Sequence, residues 1–339
     1  MTIRVTDEEF IAAWKRYGSP QRVSEALNLE LRGVYARRKT IEEKYGIILD
    51  SLDNRGSGRP KVAVPKQGFR AISDNVTGTV IIGSDGHFWP GERSVAFAAM
   101  VELIKDMKPA MVIMNGDSFD GARISRHPPG GYANLPDVAD ELDAVRERHA
   151  EIEAVAPNNC PLIWPAGNHD SRFTARLALA APEFAKVRGF DIADHFPAWQ
   201  FCWSILLNRH TFVKHKWHQS QHAGLMNTQK SGLTTVTGHL HRLLVTPWVD
   251  MNGIRFGVEC GTLSELEIGG DKFGYTEDNP LNWCQGFVVL TFDHNGRLRD
   301  PELCRVINGT AYFRGQSVCG QSGEKVKILP QKNSKKRAA

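Results

Sequence analysis

Five short clusters of carboxylate, imidazole and amide side chains lie along the middle of this chain. They are Asp85-Gly86-His87, Gly116-Asp117-Ser118-Phe119-Asp120, Gly167-Asn168-His169-Asp170, a histidine-rich run from His215 to His222, and Gly238-His239-Leu240-His241. Such a mixed ligand set suits a divalent first-row metal. There are enough ligands for two ions, which points to hydrolysis of a phosphate ester. The first three clusters each follow an apolar run: Val80-Ile81-Ile82, Met111-Val112-Ile113-Met114 and Leu162-Ile163-Trp164. These runs predict strands, so the polar residues fall at strand C-terminal ends, where an α/β sheet presents its ligand crevice.

The elements that must hold these clusters are legible in outline. Ser94 to Met107 reads as an amphipathic helix after the first cluster, and residues 137–155 as a second one between the second and third clusters. Beyond Gly238 the pattern turns strand-rich, with Leu243 to Val249, Ile254 to Glu259 and Gly286 to Phe292, and His294-Asn295-Gly296 marks a turn. Alternating elements followed by strands predict an α/β fold, a four-layer sandwich of two mixed β-sheets flanked by helices.

The ordered set resembles the calcineurin-like metallophosphoesterases over roughly residues 78 to 265, through motifs of the form D-x-H, G-D-x-x-D, G-N-H-D, a lone histidine and G-H-x-H. The resemblance implies two divalent metal ions, manganese first and iron, zinc or nickel as alternatives. It implies that Asp85, His87, Asp117 and His241 hold the first ion. Asp117 bridges to a second, completed by Asn168, the lone histidine and His239. The metals would make a hydroxide available near neutral pH. His169 would act as general acid, with Asp170 orienting it or else capping the helix that follows. Asp120 would support the Asp117 loop by hydrogen bonding. For the lone histidine, His215 is favoured over His218 because it lies directly at a strand end. His239 and His241 share a face on a regular strand, whereas a tight loop could aim each at its own metal. Arg126 and His127, after the second cluster, are candidates to hold a non-bridging phosphate oxygen, against a solvated loop.

Upstream, residues 1–49 read as a small all-α helix-turn-helix domain. Phe10, Ile11 and Trp14 recur at helical spacing, Tyr17-Gly18-Ser19-Pro20 separates two helices, and a third carries Arg32, Arg37, Arg38 and Lys39. Those four residues are the candidate DNA contacts, placed to meet phosphates more than base edges; the alternative is a solvated basic face. Residues 50–75 read as a flexible basic linker, in which Gly58-Arg59-Pro60 is similar to the core of an AT-hook. Residues 76–323 form the expected metallophosphoesterase domain and 324–339 a basic, disordered tail.

The 339-residue chain carries a net charge of +4, unevenly spread: both ends are basic and the body between them is net acidic. Basic ends favour an anionic polymer as partner, and DNA is the expected one besides the phosphoester substrate. No apolar run approaches a membrane span. Asp7, Glu8 and Glu9 stand where a signal peptide would be basic and then apolar. The six cysteines show no C-x-x-C pairing and read as thiols of a reducing compartment, so a cytoplasmic location, in a bacterial or phage-infected cell, is expected. No heptad or swapping signal indicates an oligomeric state. Three functions follow: a phosphodiesterase or nuclease directed to DNA; a phosphomonoesterase or protein phosphatase with the N-terminal unit as an adaptor; and a DNA-binding protein with a non-catalytic phosphoesterase scaffold. The tandem order is similar to metallophosphoesterases carried by phages and prophages, which favours the first.

Overall fold

The computed structural model describes residues 5–17, 20–47, 49, 59–64, 69–127, 134–185, 187–266, 272 and 282–320. The chain divides into two compact units, Met1–Gly58 and Arg59–Ala339. The expected basic tail lies outside the described residues.

The first unit holds α1 (Asp7–Tyr17), α2 (Pro20–Leu27) and α3 (Leu31–Tyr45). Thr6 and Glu9 cap α1 reciprocally: the Thr6 N–H donates to Glu9 Oε2 at 2.8 Å and the Glu9 N–H to Thr6 Oγ1 at 3.2 Å. Phe10, Trp14, Val23, Val34 and Ile41 form its core. Gly46, at φ 62°, ends α3 in the left-handed conformation that glycine adopts without strain. Two of the four expected DNA contacts are spent inside this unit. Arg37 donates to the Val5 carbonyl and to Asp7 and lies over the Phe10 ring. Arg38 pairs with Glu42 at 2.9 Å and lies over Trp14. Helical periodicity turns both toward α1, so of the four only Arg32 and Lys39 are exposed.

In the second unit the elements run β1 (Arg70–Ser73), β2 (Gly78–Gly83), α4 (Val95–Met107), β3 (Met111–Met114), α5 (Val138–Val155), β4 (Leu162–Pro165) and α6 (Asp170–Ala180). Then follow β5 (Gln200–Cys202), β6 (Ser204–Leu207), β7 (Thr211–Val213), α7 (Ala223–Ser231) and β8 (Thr234–Thr237). The strand-rich end comprises β9 (Leu243–Asp250), β10 (Gly253–Cys260), β11 (Gly286–Phe292), β12 (Glu302–Ile307), β13 (Thr310–Phe313) and β14 (Gln316–Cys319). One mixed sheet has the order β1-β6-β7-β8-β10-β9 and the other β14-β13-β12-β11-β2-β3-β4-β5. Helices α4 and α5 share a core with the second sheet and α7 packs on the first, as the alternating pattern predicts.

Period-two alternation builds two cores from the same strands. Ile81, Val112 and Trp164 face α4 and α5, whereas Val80, Ile82, Ile113 and Ile163 face the other sheet with Ile205, Val213 and Val258. Parallel pairing of β2, β3 and β4 sets their C-terminal ends side by side, which gathers the first three clusters.

The expected linker departs from its reading. Arg70–Ser73 pairs with β6 as a parallel strand and Ala63 bridges Ile72. Arg59 is no AT-hook arginine in this fold. Its guanidinium donates to the carbonyls of Glu153 at 2.7 Å and Pro157 at 2.6 Å, satisfying orphan acceptors at the end of α5. A four-residue strand surrounded by Gly, Pro and Lys leaves too short a periodic signal to read.

His149 on α5 is buried among Trp164, Trp199 and Phe196, at ring separations of 4.7, 4.3 and 5.3 Å. Burial pushes its pKa down to about 3. Between that value and the ordinary 6.5 the unfolded chain binds a proton that the fold refuses. The stability is therefore fully present above pH 6.5 and lost as pH falls, by about 2 kcal/mol at pH 5. Urea midpoints at pH 7 and pH 5 should show a smaller acid loss for His149→Phe than for the unmodified protein. Equal losses would show that His149 carries a proton in the fold.

Candidate metal centre

Each ligand-bearing loop is a tight turn just past a strand. Asp85, His87, Asp117, His239 and His241 all have positive φ, between 38° and 71°. Non-glycine residues adopt this region at a cost of roughly 1–3 kcal/mol each, and here it re-aims alternate side chains that a regular strand would keep parallel. Asp85, His87 and His241 form one group and Asp117, His215 and His239 another, the ligand atoms in each lying within 4.8 Å of one another. His87, Asp117 and His169 form a third group on the same criterion, which puts Asp117 between the two others. Two close approaches require glycine. A Cβ on Gly167 would lie 2.0 Å from Asp117 Oδ1, and one on Gly116, at φ +82°, would lie 2.5 Å from the His215 ring.

The donor set fits two divalent ions. His215 Nδ1 lies 2.7 Å from the Asn115 carbonyl, and His87 Nδ1 lies 2.9 Å from Asp120 Oδ1. Oxygens of these types accept, so both Nδ1 atoms carry hydrogen and both Nε2 atoms remain as ligands. Asn168 Oδ1 is buried with no hydrogen-bond partner in the protein, the state of an amide oxygen shaped for a cation. Asp85 and Asp117 are both buried, and burial opposes their charge. Facing histidines nonetheless bring Asp85 down to about 2 and hold Asp117 below the usual carboxylate range. Burial likewise disfavours a charged His215, yet Asp117 and Asp85 push its pKa up to about 10. A divalent ion would displace that proton, so metal affinity should fall as pH drops below about 10.

No family model matches this chain, and no curated protein matches it. Among solved structures, it is similar to Yfce, a phosphoesterase from E. coli, with a TM-score of 0.32 and 14% identity over 66% of this chain and 97% of that one. It is also similar to a protein serine/threonine phosphatase from Saccharomyces cerevisiae, with a TM-score of 0.31 and 13% identity over 70% of this chain and 82% of that one. Likeness this faint says nothing of activity.

The two remaining acids exchange the roles expected of them. Asp120 Oδ1 accepts from His169 Nδ1 at 2.7 Å as well as from His87, so it is Asp120 that orients the imidazole. Asp170 neither touches the His169 ring nor caps α6. Its carboxylate accepts from the N–H groups of Asp117, Phe119 and Gly167 at 2.8, 3.0 and 2.8 Å and from Trp164 Nε1 at 3.0 Å. Four donors around one buried carboxylate lock the second and third loops together. Burial, reinforced by Asp117, nevertheless raises its pKa to about 6.

Between the two histidines of the fourth cluster, His215 is the one whose Nε2 reaches Asp117 Oδ2, at 3.0 Å; the ring of His218 stacks on Trp217. Arg126 and His127 are exposed; among the described residues their side-chain hydrogen bonds run to each other and to Ser125, and neither joins the cluster. Instead Arg172, absent from the sequence reading, donates to the Asp120 carbonyl at 2.9 Å and lies 3.2 Å from His169 Nε2. Its spacing of three from His169 at a helix start was the available signal. Glu141 was also missed. It accepts from the N–H groups of Gly121 and Ala122 at 2.6 and 3.1 Å, and nothing in its spacing on α5 announces this. Elemental analysis should find His215→Ala short of one metal per chain and His218→Ala with both. The reverse pattern would move the fourth-cluster ligand three residues along.

Proposed function

We propose that the chain is a calcineurin-like metallophosphoesterase, a two-metal phosphoester hydrolase. The observation that carries this reading is the position of Asp117, between His87 on one side and His215 and His239 on the other. In it Asp85, His87 and His241 would hold one ion, His215, His239 and Asn168 would hold the other, and Asp117 would serve both. Bound metals would supply an activated water and neutralise phosphate charge. His169 presents Nε2 at 3.9 Å from Asp117 Oδ2, while Asp120 fixes its Nδ1. From there it can protonate a leaving oxygen. Arg172 stands beside it to take a non-bridging oxygen. Activity on bis-p-nitrophenyl phosphate and p-nitrophenyl phosphate with added manganese, lost on chelation, is the expected result; inactivity on both would overturn the reading.

The substrate we propose is DNA, to which the helical unit directs the hydrolase as a phosphodiesterase or nuclease. Exposed Arg32 and Lys39 support phosphate contacts. In the full chain, Arg32→Gln with Lys39→Gln should weaken duplex binding for all sequences and lower the slope of log K against log salt by about 0.9 per lost contact. The inward-turned Arg37 and Arg38 favour the second reading, an adaptor unit on a phosphomonoesterase or protein phosphatase. Side-by-side rates on linear DNA and on the two nitrophenyl esters separate them.

A further inference from the structure

The chain crosses from β5 in one sheet to β6 in the other at a single residue beside the metal centre, and that residue is an exposed tryptophan. β5 ends at Cys202, paired with Pro165, and β6 begins at Ser204, so Trp203 is the one residue between these two strands. Pro165 leads directly into Gly167-Asn168-His169. On the other side, Ile205 pairs with Val213, and Trp203 and His215 each lie two residues beyond that pair. Trp203 is therefore flanked by the strand ends that carry Asn168 and His215. Its N–H donates to the Phe69 carbonyl at 2.9 Å, which sets Phe69 next along the same rim. Phe69 is 75% exposed and Trp203 49%. Two open rings on hydrogen-bonded neighbours give an apolar patch beside the polar site, the form a binding surface takes.

The stretch of sequence that carries Trp203 is free of acids. From His195 to Val249 the sequence contains no aspartate or glutamate, although the unit as a whole is acidic. Along the rim Arg70 is exposed with its guanidinium 4.6 Å over the ring of buried Phe212, Lys216 is exposed directly after His215, and Lys214 Nζ lies 6.0 Å over the ring of half-buried Trp217. Aromatic faces interleaved with cations match a chain of unstacked bases joined by phosphates.

We propose that Trp203 and Phe69 form a stacking platform for single-stranded nucleic acid, with Arg70, Lys214 and Lys216 on its phosphates, delivering a backbone phosphate to the metal centre. This rests on the hydrolase reading and names its substrate form: unpaired strands rather than intact duplex. A duplex buries its base faces in its own stack and offers nothing to Trp203.

Fluorescence anisotropy of labelled oligo-dT with the full chain in EDTA tests the platform without turnover. Trp203→Ala and Phe69→Ala should each weaken binding roughly ten- to hundred-fold, the loss of one stacked base, and Trp203→Phe should retain most of the affinity. Binding of the corresponding duplex should change much less. With manganese, Trp203→Ala should lose far more rate on oligo-dT than on bis-p-nitrophenyl phosphate. Unchanged oligo-dT affinity in Trp203→Ala overturns the proposal, as does an equal rate loss on a phosphopeptide. If the unmodified protein hydrolyses no ester at all, the hydrolase reading fails, and the EDTA binding series still decides the platform.

Discussion

Asp117→Asn should abolish hydrolysis and strip most metal from the protein while the fold survives. Among the described residues Asp117 is the one carboxylate grouped with His87 on one side and with His215 and His239 on the other. Its two oxygens are divided: Oδ1 accepts the His169 N–H at 2.8 Å, and Oδ2 faces His215 Nε2 at 3.0 Å. An amide keeps one acceptor oxygen, so the bond to His169 and the glycine-tight packing against Gly167 can persist. It cannot supply the negative charge that would offset two cations. Elemental analysis should return fewer than two metals per chain, and bis-p-nitrophenyl phosphate hydrolysis should fall to background. Two metals retained per chain would end the bridging assignment.

His169→Ala should act in the opposite way, keeping its metals and losing rate by roughly 10²–10⁴-fold, the range for removal of a general acid. His169 is only partly buried, and its Nδ1 is engaged by Asp120 while Nε2 points toward Asp117 and Arg172. Burial works against its charge, but Asp117 and Asp120 together raise its pKa. The loss should shrink on esters whose leaving groups need no proton. Asp120→Asn should show a weaker form of the same leaving-group dependence, because an amide holds the Nδ1 hydrogen less firmly than a carboxylate. Equal losses on good and poor leaving groups would remove the acid role from His169.

The ligand types and their order were legible because each cluster is local: a few residues after an apolar run, with glycines that admit a tight turn. The main elements followed for the same reason. The amphipathic stretch from Ser94 became α4, with Ser94 Oγ accepting the Phe97 N–H, and the strand-rich end became β9 to β11. β1 escaped notice because four residues carry too little periodicity. The inward turn of Arg37 and Arg38 was hidden because it depends on where α1 lies, not on α3.

What the sequence determined by itself is therefore the chemistry available: which carboxylates, imidazoles and amide could meet, and at which ends of which strands. Tertiary structure alone decided who meets whom. Whether Asp120 or Asp170 orients His169 turned on loops some fifty residues apart in the chain, brought together by parallel pairing of β3 with β4. Whether His239 and His241 join one ligand group or two turned on left-handed backbone at both residues, with the His239 N–H donating to Asp85 Oδ1 at 3.0 Å. Side-chain spacing encodes direction only while the backbone stays regular, and at this centre it does not.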